Sequence, residues 1–216
     1  MELQTITRIG LPIAMLAFIV VTLVIPARRL RRQTGHLPLV FHRKADPYQP
    51  LMMLAFGVFF PGVAIWSVLY AVLGPAKLGV WDLPDWTLLC GWVLLLAGTA
   101  LVFLAQSHMG QSLRIGIDDR ETELVTRGVF NYVRNPIFLG VLLALAGVVL
   151  FSLQSLAVAL WFVVALFIGI QTRLEERHLI RVHGLEYARY ASRVGRFIPL
   201  IGKLKVQGAT ASAESS

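Results

Sequence analysis

Four long stretches without Asp, Glu, Lys or Arg constrain this chain more than any other feature. They are Ile9 to Ala27, Gln49 to Ala76, Trp86 to Leu113 and Asn135 to Thr172. A helix needs about 20 apolar residues to cross a bilayer, so each of the first three stretches predicts one membrane helix. The fourth is long enough for two, with a natural break at residues 151–155 that predicts a helical hairpin. We expect an all-α integral membrane protein with about five transmembrane helices.

Positively charged residues are distributed unevenly among the connections. Of the 20 Lys and Arg residues, all except Arg8 and Lys77 follow the first segment, separate the third from the fourth, or follow the fifth. The positive-inside rule then predicts an outer N-terminus and a cytoplasmic C-terminal region. Because the basic residues flank apolar segments, the net charge of +8 predicts contact with membrane lipids and not with nucleic acid.

The sequence predicts neither a disulfide nor a metal site. The single cysteine, Cys90, lies inside an apolar segment, so no disulfide framework or cysteine-ligated metal is available. Among the five histidines only His178 and His183 are close in sequence, and their spacing does not place them well on one helix face. The chain also lacks a glycine-rich dinucleotide motif and a phosphate-binding Gly-Lys-Ser/Thr motif, which excludes a Rossmann-type enzyme by pattern.

The loop that leads into the fourth stretch is rich in residues with special backbone roles. Gly128 permits a turn, Pro136 presets a helix start, and Asn135 is placed to cap that helix. Free N–H groups at a helix start bind anions, and Arg134 adds a planar fork for a carboxylate. A simpler interpretation also fits, in which Arg134 is an anchor to lipid headgroups and Asn135 is an ordinary cap.

A second polar region follows the last membrane segment. Glu175 and Glu176 could bind a cation or a ribose diol, or could form ion pairs with nearby arginines such as Arg173. Further along, Tyr187 and Tyr190 are three residues apart and share a helix face. Such an aromatic pair serves either as packing at the membrane interface or as a platform for a ligand.

Together the two regions resemble a known family. The order of a Leu-Val-x-x-Gly-x-Phe/Tyr-x-x-x-Arg-x-Pro-x-Phe/Tyr-x-Gly loop, a helical hairpin, Glu-Glu-x-x-Leu, Gly-x-x-Tyr-x-x-Tyr and Ile-Pro is similar to isoprenylcysteine carboxyl methyltransferases. Phosphatidylethanolamine methyltransferases share a looser version. The matching residues, within Leu94 to Pro199, are Leu124, Val125, Gly128, Phe130, Arg134, Pro136, Phe138, Gly140, Glu175, Glu176, Leu179, Gly184, Tyr187, Tyr190, Ile198 and Pro199.

This resemblance implies a membrane enzyme that transfers a methyl group from S-adenosylmethionine to a lipophilic acceptor, a carboxylate, thiol or amine, at the cytoplasmic face. Such a displacement depends on alignment and on exclusion of water, so the enzyme needs no nucleophile of its own. The resemblance assigns Arg134 and Arg196 to catalysis. It assigns to the cofactor Gly128, Phe130, Asn135, Pro136, Phe138, Gly140, Glu175, Glu176, Tyr187 and Tyr190.

The resemblance also divides the chain. Residues 1–93 are expected to be N-terminal membrane helices, 94–200 the methyltransferase-like region with a cytoplasmic C-terminal helix, and 201–216 a disordered tail. The family loop commonly has His where this chain has Asn135, and Asn does not titrate near neutrality, which excludes a histidine base at that position. Two alternatives remain: a sterol-type reductase that uses NADPH, and a membrane scaffold without catalysis.

Overall fold

A computed structural model describes residues 2–34, 49–81, 84–109 and 124–204, with the backbone alone for residues 49–53. Short π-helical and 3₁₀ turns, Val20–Val24, Ala76–Leu78 and Gly128–Asn131, connect longer helices. In the described ranges the strand-like pairing is limited to a bridge between Val133 and Gly195. The helices are α1 (Glu2–Ile19), α2 (Ile25–Thr34), α3 (Gln49–Leu73), α4 (Asp85–Met109), α5 (Pro136–Ser152) and α6 (Ser155–Arg193). The predicted all-α class is confirmed.

The helices have the length and composition of a multi-pass integral membrane protein. Four helical segments are long and apolar enough to cross a membrane: Glu2–Arg32, Leu54–Leu73, Asp85–Met109 and Ser155–Arg193. The other arm of the predicted hairpin, α5, has 17 residues and is shorter than these. In the described residues, the five predicted segments correspond to four long helices and one shorter helix. The hairpin turns between Ser152 and Ser155, inside the segment where the break was expected.

The N-terminal helices are joined to α4 near its first residues, at the end of the molecule opposite Arg134. Arg8 of α1 donates a hydrogen bond to the carbonyl of Ala71 near the end of α3, at 2.9 Å. The indole N–H of Trp92 in α4 donates to Thr7 Oγ1 at 3.0 Å. Further along α1, Phe18 packs beside Phe60 of α3, so these two helices are antiparallel. These contacts place α1 between α3 and α4.

Helices α4 and α5 approach each other closely because glycines line both sides of their contact. A Cβ atom at Gly98 would lie 2.4 Å from the carbonyl oxygen of Gly140, and one at Gly147 would lie 2.5 Å from that of Gly91. No other residue fits at such distances. Small residues at a helix interface allow this approach inside a membrane, where dispersion contacts drive association.

The last helix, α6, runs from the apolar membrane helices to the end of the molecule that contains Arg134 and Arg196. We name this end the basic end. Its helical conformation breaks at Gly184, where φ is 52°, a value that favours glycine. The chain then returns towards α5, and Leu204 donates its N–H to the carbonyl of Ala191 at 3.0 Å. Leu204, which was expected to belong to the disordered tail, therefore packs against α6. The rest of that expected tail, 205–216, lies outside the described residues.

Candidate active site

The guanidinium group of Arg134 lies at the centre of the basic end. Arg134 directly precedes Asn135, the cap residue of α5, and its side chain is 1% exposed. Its Nε and Nη2 atoms donate to Glu176 Oε1 at 3.1 and 2.6 Å. Its remaining N–H groups donate to the carbonyls of Ala191, Val194 and Gly202. All five N–H groups of the fork are used within the protein. Burial of this kind excludes the interpretation of Arg134 as an anchor to lipid headgroups.

Glu176 is buried and joins Arg134 to a second arginine. Arg196 Nε lies 3.1 Å from both carboxylate oxygens, and its Nη2 lies 2.7 Å from Oε2. These hydrogen bonds raise the pKa of Arg196, so its guanidinium stays charged. Within the described residues, the ion pairs of Glu176 are thus with Arg134 and Arg196, which are distant in sequence, and not with the nearby Arg173 that the sequence offered.

The two arginines differ in what their donors face. The Arg196 side chain keeps 26% exposure, whereas that of Arg134 is almost completely buried. Within the part of the chain that the structure describes, Arg196 Nη1 makes no hydrogen bond. Two guanidinium groups share one carboxylate, so this cluster has an excess of positive charge at its open side. It fits an anionic group such as a carboxylate.

Backbone pairing fixes the two arginines relative to each other. The N–H of Arg134 donates to the carbonyl of Gly195 at 2.9 Å, and that of Asn135 donates to the carbonyl of Arg196 at 3.1 Å. Asn135 occupies the cap position of α5, but its side chain makes no capping hydrogen bond; its Nδ2 instead lies 3.4 Å from the Arg196 carbonyl. The expected side-chain cap is therefore absent. Pro136 takes the first helical position, as predicted.

The tyrosine pair of α6 packs beside this cluster. The Tyr190 hydroxyl donates to the carbonyl of Phe130 at 2.7 Å, and both residues are buried. The rings of Tyr187 and Tyr190 meet edge to face, with centroids 6.0 Å apart. Tyr190 thereby ties the 3₁₀ turn before α5 to the returning part of α6.

Three of the other expected cofactor residues have packing roles in the described structure. Gly140 lies against Gly98 in the interface of α4 and α5. Phe138 packs against the apolar cluster of the membrane helices. Gly128 has φ of 65°, and a Cβ there would lie 2.6 Å from Nδ1 of His108. Glu175 precedes Glu176 on α6 and is half-buried at the edge of the cluster.

Several participants in the site could not be found by sequence motifs. The carbonyls of Ala191, Val194 and Gly202 hold Arg134, but a backbone carbonyl has no side-chain signature. His108 is a further residue that no motif identified. It is half-buried at the end of α4, and its Nδ1 accepts the N–H of Val129 at 3.5 Å. Gly128, directly before Val129, was the one signal in the sequence.

Comparisons with known proteins agree with the motif. Residues 86–186 match the family described as phospholipid methyltransferase. The chain is similar to a methanethiol S-methyltransferase of Crocosphaera subtropica, with 28% identity over 52% of this chain and 45% of that protein. It is 31% identical to methanethiol S-methyltransferase 1 of Bradyrhizobium diazoefficiens over 50% of this chain and 39% of that protein. The chain therefore spans less than half the length of these two relatives.

A third relative and a solved structure point to the same group. The protein-S-isoprenylcysteine O-methyltransferase of Saccharomyces cerevisiae is 35% identical over 36% of this chain and 33% of its own length. The solved structure is a eukaryotic intramembrane Ras methyltransferase, an isoprenylcysteine carboxyl methyltransferase, with a TM-score of 0.58 and 18% identity over 94% of this chain and 70% of that one. The fold is thus that of an intramembrane methyltransferase. The predicted resemblance to the isoprenylcysteine carboxyl and phospholipid methyltransferases is confirmed.

Proposed function

We propose that this chain is an S-adenosylmethionine-dependent methyltransferase that acts on a lipophilic acceptor where α5 and α6 reach the membrane surface. The observation that carries the proposal is the buried carboxylate of Glu176, held between a fully engaged Arg134 and a partly exposed Arg196. It lies at the meeting point of the matched loop and the matched Glu-Glu segment. The family match over residues 86–186 supports the class of reaction.

In this proposal the two arginines have different tasks. Arg134 has no N–H group left for a ligand, so it positions Glu176 and the returning chain. Arg196 retains donors at its exposed side and binds the cofactor carboxylate. We also assign to the half-buried Glu175 hydrogen bonds with the ribose hydroxyls or the ammonium group of the cofactor.

S-adenosylmethionine, when bound, supplies a methyl group on a sulfonium centre. The residues of this chain bind and orient it, and they exclude water with the buried rings of Tyr187 and Tyr190. Catalysis by alignment of this kind requires no protein base at Asn135.

The acceptor is proposed by class. Two similar proteins are named for methanethiol and one for an isoprenylated cysteine. The first two names give sulfur as the acceptor, and the third gives oxygen on a cysteine that carries a hydrophobic isoprenyl group. These names suggest a lipophilic thiol or acid for this chain. A thiolate attacks the methyl carbon directly, which suits a site without an essential base.

The test is transfer of a labelled methyl group by the purified protein in membranes to small thiols, long-chain thiols, lipophilic acids and total membrane lipid. We expect transfer to at least one acceptor. Arg196→Lys keeps the charge but removes the planar fork, and should weaken S-adenosylmethionine binding about tenfold, or about 1.4 kcal/mol. Arg193→Lys, at the exposed last residue of α6, is the matched control. Unchanged cofactor affinity in Arg196→Lys would remove the proposed role of Arg196, and binding of NADPH instead of S-adenosylmethionine would favour a reductase.

The proposal includes the orientation. The basic connections, and with them the site, face the cytoplasm of a bacterial plasma membrane, and the N-terminus lies outside. A tag at the C-terminus should then be protected from protease in intact cells, and one beside Lys77 should be cleaved. The reverse pattern would contradict the orientation.

A further inference from the structure

A short apolar turn follows the charged cluster and lies open on the surface. We name Ile198–Ile201 the apolar turn; its exposed fractions are 54% for Ile198, 72% for Leu200 and 61% for Ile201. The turn is closed by a hydrogen bond from the N–H of Ile201 to the carbonyl of Ile198, at 3.1 Å. Leu200 has φ of 69°, the one positive φ outside glycine in the described residues. The backbone is therefore held in an unusual conformation with its apolar side chains directed outward.

The turn is joined directly to the residues of the site. The N–H of Arg196 donates to the carbonyl of Ile201 at 2.8 Å. The next carbonyl, that of Gly202, accepts from Arg134 at 3.0 Å. A Cβ at Gly195 would lie within 2.8 Å of the Ile201 carbonyl, so the turn folds tightly over this glycine. Displacement of the turn would disturb the partners of both arginines.

Two observations indicate what covers the turn. The preceding residue, Phe197, packs against the apolar cluster of the membrane helices, together with Ile137 at the start of α5. This contact places the turn at the level where the membrane helices end. On either side of the turn are Arg196 and the exposed Lys203. Apolar side chains bordered by basic residues are typical of a segment that lies in the interface of an anionic bilayer.

We propose that the apolar turn inserts into the lipid leaflet on the side of the site, and that this insertion holds the Ile201 and Gly202 carbonyls in place for Arg196 and Arg134. The occupant of this surface is lipid, with anionic headgroups at the exposed Lys203. The proposed insertion is independent of the proposed function. The effect of insertion on methyl transfer rests on the proposed function.

Insertion is tested with a single fluorescent label on the full chain in vesicles of phosphatidylcholine and phosphatidylglycerol. Cys90 is replaced by Ser, and an environment-sensitive probe is attached at Leu200→Cys, at Ile201→Cys, or at the exposed control position Glu186→Cys. We expect the two turn positions to show blue-shifted emission, quenching by spin-labelled lipid and loss of quenching by iodide, with the opposite result at Glu186. Iodide quenching equal to that at Glu186 overturns the proposal. Shielding from both quenchers overturns it as well, because protein and not lipid would then cover the turn.

Coupling to the site is tested by a pair of substitutions at Leu200. Asn accepts a positive φ more readily than Leu does, but removes the apolar surface. Met keeps the apolar surface and shares the backbone strain. If insertion holds the site, Leu200→Asn should lower methyl transfer and cofactor affinity while Leu200→Met retains both. Equal activity of the two variants overturns the coupling. Should the wild-type protein transfer no methyl group to any acceptor, the proposed function fails, and the quenching experiment still decides the insertion.

Discussion

The contact of α4 with α5 and the charged cluster are neighbouring regions held together in opposite ways. In the membrane, Gly98 and Gly140 remove side chains so that two backbones touch. At the basic end, Arg134 and Glu176 fill the interior with charge and satisfy it with hydrogen bonds. The motif from Arg134 to Gly140 serves both regions, because its first residue enters the cluster and its last enters the helix contact.

Because the two regions are stabilised differently, we expect residues of this one motif to differ in which substitutions they tolerate. In the helix contact the constraint is steric. Any added side-chain atom is harmful, so only glycine fits. In the cluster the constraint is electrostatic, because a buried charge without its partner is costly. Substitutions in the two regions separate the steric constraint from the electrostatic one, and we expect the largest effect in the cluster.

Glu176→Gln should be the most damaging change. It removes the one carboxylate shared by Arg134 and Arg196 and leaves a buried guanidinium without its counter-charge. Loss of one partner of a buried ion pair costs about 3 to 5 kcal/mol. We expect a marked fall in the thermal unfolding temperature in detergent and loss of methyl transfer.

Glu186→Gln, an exposed position on the same helix, is the matched control for that change and should behave as wild type. If Glu176→Gln unfolds at the wild-type temperature, the cluster is not a structural centre, and the electrostatic half of the comparison is wrong.

Arg134→Lys keeps the charge and removes the fork. Lysine offers three donors where Arg134 makes five hydrogen bonds to four acceptors, Glu176 Oε1 and three carbonyls. At least one of these acceptors therefore loses its partner. We expect a loss of roughly 2 to 3 kcal/mol in stability, less than in Glu176→Gln because the charge remains. Chemical denaturation in mixed micelles measures it.

Arg196→Lys tests whether the two arginines have different roles. Arg196 is partly exposed, and its replacement should reduce cofactor affinity with little change in unfolding. A reversed pattern, in which Arg134→Lys folds normally and Arg196→Lys does not, would exchange the proposed roles.

Gly98→Ala tests the steric constraint. The added Cβ would lie 2.4 Å from the Gly140 carbonyl oxygen, so α4 and α5 must separate. Overpacking of this kind costs about 1 to 3 kcal/mol. Gly169→Ala in α6 adds the same atom where no other atom lies within 4 Å, and we expect it to be neutral or slightly stabilising. Equal effects of the two alanines in thermal unfolding would show that close approach is not what holds α4 to α5.

The sequence predicted the helices and the regions that meet, but not the contacts within the site. Hydropathy and turn residues place helices because they are local properties, and the hairpin turns where Ser152, Gln154 and Ser155 interrupt the apolar run. The direction of the Arg134 side chain depends on three carbonyls from distant residues, which no residue type encodes. For the same reason Gly140 was grouped with the cofactor residues, although its neighbour is Gly98 on another helix.

Tyr190→Phe should have the smallest effect and tests whether the tyrosine pair is packing or a ligand platform. The substitution removes a 2.7 Å hydrogen bond to the buried Phe130 carbonyl and keeps the ring, so we expect a loss of about 1 kcal/mol. Tyr132→Phe makes the same change at a side chain that is 69% exposed and should be neutral. If Tyr190 acts through packing alone, cofactor affinity at a temperature well below unfolding should stay within error of wild type, since the edge-to-face contact with Tyr187 is retained. A large drop in affinity with unchanged unfolding would instead show that the hydroxyl orients the loop before α5 for ligand binding, and Tyr190 would then belong with Arg196 on the binding side of the cluster.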